Sequence, residues 1–442
     1  VKTYLQQLMG GLSPGVRIFV MTECLFGVGI GLFSLVLNLH LLDLGYDEGF
    51  IGRLTSIGSL AMGLLSLPAG LAVRVVGRKG MLASGMLCVA LGMAGFGAVT
   101  APWAMYVSQL LWSVGMTAIV VSEIQLVFQY CRDKQEERRA YAVLFAAFTL
   151  FTGAGTLLGG LLPRWLQGGV TPYEPVFYAA AGSLALGGVL RALLLPSVTS
   201  ASEREQTAAA AVSPEQAAAE GAAVHAAAAL EQAKSGAAAE RRQAKSGAGS
   251  RISMLASLSA MIFLSGLALG FLNNYLNIIL KYRLDWPDSS ISIVLSIAGV
   301  FLFAGSLLAP MLLERVGTHQ AFGLLFIGNA AVVLLLAWAL PPMLFTVLLL
   351  LRGGLFIMWN NQLDSELMSA VPEEDRNLYA GLRTIARSGG TAIAAYAAGW
   401  ILAGSNYTLP FVWSGVTILI GFVFYMVRIR PILDKPKSAA ET

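Results

Sequence analysis

The sequence predicts an all-α membrane protein: twelve transmembrane helices in two pseudo-symmetric six-helix bundles. Three observations predict it. The chain carries too little charge for a surface in water, it holds twelve apolar runs of membrane-spanning length, and its two halves repeat each other.

The first observation is compositional. Of 442 residues, 56% are hydrophobic and only 12% are charged, where a soluble domain is normally about a quarter charged. From Gly49 to Ser122 there is no Asp or Glu at all, so whole segments have almost nothing costly to bury in hydrocarbon. The three cysteines (Cys24, Cys88, Cys131) and three histidines (His40, His225, His319) are scattered, which argues against a disulfide framework, a zinc site or any other metal centre. No nucleophile–base–acid set and no phosphate-binding G-x-x-x-x-G-K-[ST] run is present. The expectation is therefore no catalysis, no cofactor, no nucleic-acid partner, and no ATP hydrolysis by this chain.

The second observation gives the elements in order. A spanning helix needs about 20 apolar residues. Such runs occupy roughly 17–42, 50–74, 80–99, 103–131, 139–163 and 174–195, then 252–280, 290–313, 320–340, 343–370, 377–403 and 409–429. The first run is too long for a signal-peptide core of about 7–15 residues and reads as a retained span. Small-residue spacings such as Gly27–Gly31 and Gly155–Gly159 suit close helix packing. Placing the N-terminus inside puts 21 of the 29 Lys and Arg residues in inner segments and 3 (Arg164, Lys281, Arg283) in outer loops. That asymmetry puts both termini in the cytoplasm of a multi-pass protein of the cell membrane. Between the bundles the composition turns to Ala, Glu, Gln, Lys and Ser, with "QAKSGA" at 232–237 and again at 243–248. Alanine favours helix, but core-forming side chains are missing, so a partly disordered cytoplasmic linker is expected. The domain reading is 1–196, linker 197–251, 252–430, and a cytoplasmic tail 431–442.

The third observation is the repeat. "VRVVGRK" ends at Lys79 and "ERVGTHQ" begins at Glu314, with Gly77 and Gly317 lying 240 residues apart. At nearly the same offset Asn38 answers Asn277, and "EERRAYAVL" (136–144) answers "EDRNLYAGL" (374–382). Parallel repeats of this kind mark two-bundle transporters with a site between the halves near the bilayer midplane.

On these residues the chain resembles the major facilitator superfamily along nearly its whole length. The family's loop signature G-x-L-A-D-R-x-G-R-K is met here by Gly70, Leu71, Ala72, Val73, Arg74, Val75, Val76, Gly77, Arg78 and Lys79. The glycines and the final basic pair match; the acidic position does not. In the second half Glu314 and Arg315 keep an acid–base pair before Gly317, and Pro310 replaces the leading glycine. The resemblance implies that these loops gate the cytoplasmic side, with Glu314 and Arg315 carrying the latch. It also implies that the first, fourth, seventh and tenth helices line the cavity. Two departures argue against a typical drug/proton antiporter: the fourth helix has Leu111 or Trp112 where those proteins carry arginine, and Thr156 replaces proline in Gly155–Gly160.

Ionisable residues inside spans are expensive and mark sites. Glu23 in the first helix and Glu123 in the fourth, with Gln125 nearby, are candidate proton carriers; the alternative is pairing with a neighbouring helix. In the tenth helix Asn360 and Asn361 precede Asp364 by four and three residues and share its face. In the eleventh, Arg383 and Arg387 stack; they pair with Asp364, Glu366 or Glu314, or they bind an anion. Arg352 stands apart in the outer half of the tenth helix. Asn273, Asn274 and Asn277 in the seventh hydrogen-bond either a polar solute or another helix. The expected function is alternating-access secondary transport of a small organic solute by a monomer among membrane lipids, driven by protons or another ion, with export slightly favoured. The alternatives are uptake by the same mechanism, or a non-transporting sensor that signals through the linker.

Overall fold

In the computed structural model, which describes residues 12–166, 168–196, 233–372 and 375–434, the predicted runs become twelve long helices. In the first half these are α1 (Pro14–Asp43), α2 (Glu48–Val76), α3 (Arg78–Ala98), α4 (Pro102–Tyr130), α5 (Lys134–Leu161) and α6 (Glu174–Leu194). In the second they are α7 (Ala233–Gly270, continued as Leu276–Leu284), α8 (Asp288–Val316), α9 (Thr318–Leu336), α10 (Pro342–Ser369), α11 (Arg376–Ala403) and α12 (Leu409–Phe424). Eleven contain a stretch long and apolar enough to cross a bilayer. The exception is α11, where Arg376, Arg383 and Arg387 dilute a Gly- and Ala-rich helix.

The helix ends follow from local chemistry. Ser13 caps α1 ahead of Pro14, and Asp47 caps α2 by accepting the Phe50 N–H at 2.7 Å. At the start of α5, Asp133 Oδ1 accepts the Glu136 N–H at 2.7 Å, and Glu136 Oε2 accepts the Arg132 N–H at 2.9 Å, a variant of the reciprocal capping box. Burial raises the Glu136 carboxyl, but the donated N–H groups of Arg132 and Ser13 outweigh it and hold the acid below its usual range.

The repeat is visible in the backbone. Gly77 between α2 and α3 has φ 79°, and Gly317 between α8 and α9 has φ 85°, a conformation that glycine adopts without a Cβ penalty. Both turns close on themselves in the same way: Gly77 N–H donates to Val73 O at 2.9 Å and Gly317 N–H to Leu313 O at 2.8 Å. Two residues on, Lys79 Nζ donates to Leu195 O at 2.6 Å, while His319 Nε2 lies 2.7 Å from Asp434 Oδ1. Each turn thus reaches the end of its own bundle's last helical stretch, which in the second half continues past α12 through a π-helical turn, Tyr425–Ile429, to Arg430–Leu433. At Leu195 a cation satisfies an open carbonyl.

Within each half the first helix lies against the fifth. A Cβ on Gly31 would fall 2.1 Å from Thr152 O and one on Gly155 2.3 Å from Val28 O; on Gly266 and Gly390 the equivalents are 2.3 Å from Arg387 O and 2.2 Å from Phe263 O. Backbones this close exclude any side chain. The halves meet through α2 with α11 and α5 with α8, so that all twelve helices beyond the linker region form one compact unit.

The stretch of α7 apolar enough to cross a bilayer starts at Arg251, where the sequence places it, and the helix extends back to Ala233 through the Ala-rich segment, which favours helix; residues 197–232 of the expected linker and 435–442 of the expected tail lie outside the described residues. The seventh span differs from the sequence reading in being broken: after Gly270 the chain passes through a 3₁₀ turn, Asn273–Tyr275, before resuming at Leu276.

Candidate substrate and proton site

The Gly77 and Gly317 turns mark one end of the molecule, the turn end. In its half of the bundle, α1, α4 and α6 converge on three charges. Glu23 projects from α1, Glu123 from α4 and Arg191 from α6. Arg191 is fully buried and donates to both carboxylates, at 3.4 Å to Glu123 Oε1 and in closer contact with Glu23 Oε2. Its Nε donates to Thr22 Oγ1 at 3.0 Å, and its guanidinium lies 4.2 Å from the Phe19 ring centroid. Phe26 and Phe148 extend the aromatic wall, their centroids 5.6 Å apart.

One guanidinium balances one carboxylate. The cluster therefore holds one carboxylate more than its internal cation. Glu123 is the accessible member: its side chain is 15% exposed against 2% for Glu23. Both line an apolar cavity of about 210 Å³ with Phe26, Met116, Ile119 and Phe148. Gln125, two residues beyond Glu123 on α4, is exposed. Arg191 is the member that the sequence reading did not single out. The signal was present: two acids in the spans of one bundle require a cation, and Arg191 is the single basic residue inside the sixth run.

The second half arranges its charges differently. Arg387 makes a forked pair with Asp364, at 3.0 and 2.6 Å, and Arg383 approaches the same carboxylate at 3.7 Å. Both stacked arginines are thus on one acid. Asn360 and Asn361 do not join them: Asn360 Oδ1 accepts from Ser265 on α7 at 2.9 Å, and Asn361 donates to Ser306 on α8 at 3.1 Å. The expected shared face of α10 therefore divides among three neighbouring helices. Arg352 is buried and donates through Nη1 to Asn273 Oδ1 at 2.8 Å.

At the end opposite the turns the halves are bonded together. Asn38 Nδ2 donates to Asn277 Oδ1 at 3.0 Å and to Asn274 O at 2.6 Å; Asn277 Nδ2 donates to Leu35 O at 2.8 Å. The two asparagines that answer each other in the repeat are thus hydrogen-bonded to each other across it. Around them Tyr173 donates to Asp288, Lys281 lies 3.3 Å from the same carboxylate, and Arg164 donates to Ser289 at 2.7 Å. Burial, and next the hydrogen bond to Asp288, push the Tyr173 phenol well above its ordinary range. At the turn end, Gly70, Gly77 and Gly317 have open space where a Cβ would stand, and Glu314 and Arg315 are exposed. Among the described residues the two turns make no hydrogen bond or ion pair with each other. The Arg74 side chain lies outside the described groups, and Arg78 stands at the first position of α3.

The amide pair has a measurable consequence. Asn38→Leu removes the donor shared by Asn277 Oδ1 and Asn274 O, a cost of about 1–3 kcal/mol. The seal should open about tenfold more often. The alkylation rate of a Leu35→Cys reporter in a cysteine-free background measures this; an unchanged rate shows that the pair does not hold the closure.

A duplicated six-helix bundle, with glycine turns at one end, a polar seal at the other and a charged cavity in the membrane interior, defines a multi-pass membrane transporter. The chain belongs to the Major Facilitator Superfamily, whose model matches residues 19–394 and 258–442. It is similar to the multidrug resistance protein MdtH of Photorhabdus laumondii, 25% identical over 185 residues, 42% of this chain and 44% of that one. A second MdtH, from Proteus mirabilis, is 28% identical over 154 residues, 35% of this chain and 37% of that one. The chain thus matches less than half the length of these relatives. Among solved structures it is similar in fold to the nucleoside transporter NupG, with TM-score 0.69, 15% identity and coverage of 93% of this chain and 98% of that one. It is also similar to a bacterial homologue of the iron transporter ferroportin in an inward-facing state, with TM-score 0.68, 13% identity and coverage of 95% and 99%.

Proposed function

We propose that this chain is a proton-coupled exporter of small organic compounds, acting by alternating access in the cytoplasmic membrane with both termini inside. The Glu23–Arg191–Glu123 cluster carries the reading. It offers one carboxylate in excess of its internal cation, on the wall of a mostly apolar cavity. A proton neutralises the cluster in one access state and leaves it in the other. A lipophilic solute occupies the adjoining aromatic cavity.

The 21-to-3 distribution of basic residues supports placing the turn end in the cytoplasm. In this orientation the Asn38–Asn277 bonds join the halves on the outer side. Changing state requires the seal to part while the α2–α3 and α8–α9 turns approach. In this reading Gly70, Arg74, Gly77, Arg78 and Lys79 on one half and Glu314, Arg315 and Gly317 on the other are the gating loops. The name multidrug resistance protein carried by the matched relatives supports export.

Flux into proteoliposomes, with and without an imposed proton gradient, tests this. Glu123→Gln is expected to lower gradient-driven flux at least tenfold while leaving solute exchange without a gradient intact. Gradient-driven flux at the parental rate in both Glu123→Gln and Glu23→Gln would overturn the proton assignment.

A further inference from the structure

Arg352 holds a charge that the proton site does not use. It lies on α10, ten residues from the sealed end, and only 3% of it is exposed. Isolated charges in a membrane interior are rare because hydrocarbon offers nothing to solvate them. Arg383 and Arg387 answer this with Asp364, and Arg191 with Glu23 and Glu123. Among the described residues Arg352 has no carboxylate. Its neighbours are the Asn273 side chain and the Phe356 ring, 5.0 Å from the guanidinium carbon.

The unused atoms have a geometry of their own. Nη1 is spent on Asn273, while Nε and Nη2 are buried without a hydrogen-bond partner. In a guanidinium, the Nε–H and the adjacent Nη2–H are parallel. Together they form the edge that receives both oxygens of a carboxylate or phosphate. The free edge is therefore a complete two-donor fork, held in place by a bond on the opposite nitrogen. Its anchor, Asn273, sits in the 3₁₀ turn that interrupts α7, and it is exposed although Arg352 is not. Broken helices at membrane depth are tolerated where they border a cavity.

We infer that Arg352 and Asn273 form an oxyanion subsite, and that it takes the carboxylate of a compound with an apolar body. The aromatic face of Phe356 beside the fork favours an organic carboxylate over a hydrated inorganic ion. The seal residue Asn38 donates to Asn274 O in the same turn, so the subsite adjoins the bonded end. This deepens the transport reading by naming a substrate class, and rests on that reading only for its physiological meaning.

The test is a binding measurement on the purified full chain in nanodiscs. Benzoate is the probe; benzamide and inorganic phosphate are the controls. Benzoate is expected to raise the thermal unfolding midpoint, and equal concentrations of the two controls to leave it unchanged. Arg352→Lys keeps the charge but loses the fork, so benzoate affinity should fall at least tenfold. If that variant does not fold, Asn273→Ala, which releases the anchor, carries the same expectation. No response to benzoate, an equal response to benzamide, an equal response to phosphate, or parental affinity in the folded variant each overturns the subsite. Any of these with Glu123-dependent flux intact removes the subsite alone. Benzoate binding without gradient-driven flux removes the transport reading and leaves the subsite.

Discussion

Arg191→Met is expected to destabilise the protein by about 3–5 kcal/mol, the range found when one partner of a buried ion pair is removed. The methionine fills similar space but leaves Glu23 and Glu123 facing each other with no cation between them. Thr22 also loses its donor, and Phe19 its stacked guanidinium. The unfolding midpoint of the detergent-solubilised protein, followed by tryptophan fluorescence, measures the loss. Arg191→Met combined with Glu23→Gln should recover most of it, because the pair then carries one carboxylate that is partly exposed. Arg191→Lys should fall between, keeping the charge without the geometry that reaches three partners at once. A midpoint unchanged in Arg191→Met would show that the guanidinium does not hold these helices.

The second large effect is steric. Gly31→Ala places a methyl carbon 2.1 Å from Thr152 O, and Gly390→Ala places one 2.2 Å from Phe263 O. Both obstacles are backbone atoms of a packed helix, so relief requires two helices to separate along their length. Overpacking a close-fitted interface costs typically 1–3 kcal/mol and more where nothing gives way; about 3 kcal/mol or more is expected at each site. Gly182→Ala and Gly323→Ala are the controls, since no atom lies within 4 Å of the added carbon. There alanine's helix propensity should stabilise by up to about 1 kcal/mol. Equal midpoints in all four variants would refute the close approach of α1 to α5 and of α7 to α11.

These two expectations mark where the sequence is readable and where it stops. The glycines at 31 and 155 stand in small-residue spacings, which signal close packing from the pattern alone. The repeat offset pairs Asn38 with Asn277, and the structure joins those same residues by a hydrogen bond. Arg191 was legible only as a charge in a span. Nothing in its helix says that its partners come from α1 and α4. Asn360, Asn361 and Asp364 show the limit more sharply: their spacing puts them on one face, yet each bonds to a different helix. Helical periodicity states which residues project together but not what lies opposite each of them.

By itself the sequence determined the elements: twelve helices, their short turns, the duplication, and the end of the molecule at which each loop falls. These depend on local quantities: the length of an apolar run, the absence of a Cβ at a turn, and the cost of a loop charge entering lipid. The tertiary structure alone decided the pairings. It set which carboxylates share Arg191, which end is sealed, and which two nitrogens of Arg352 have no partner. Those outcomes depend on the angles and depths at which helices cross. Such angles and depths come from packing among residues far apart in the chain, which no local pattern encodes.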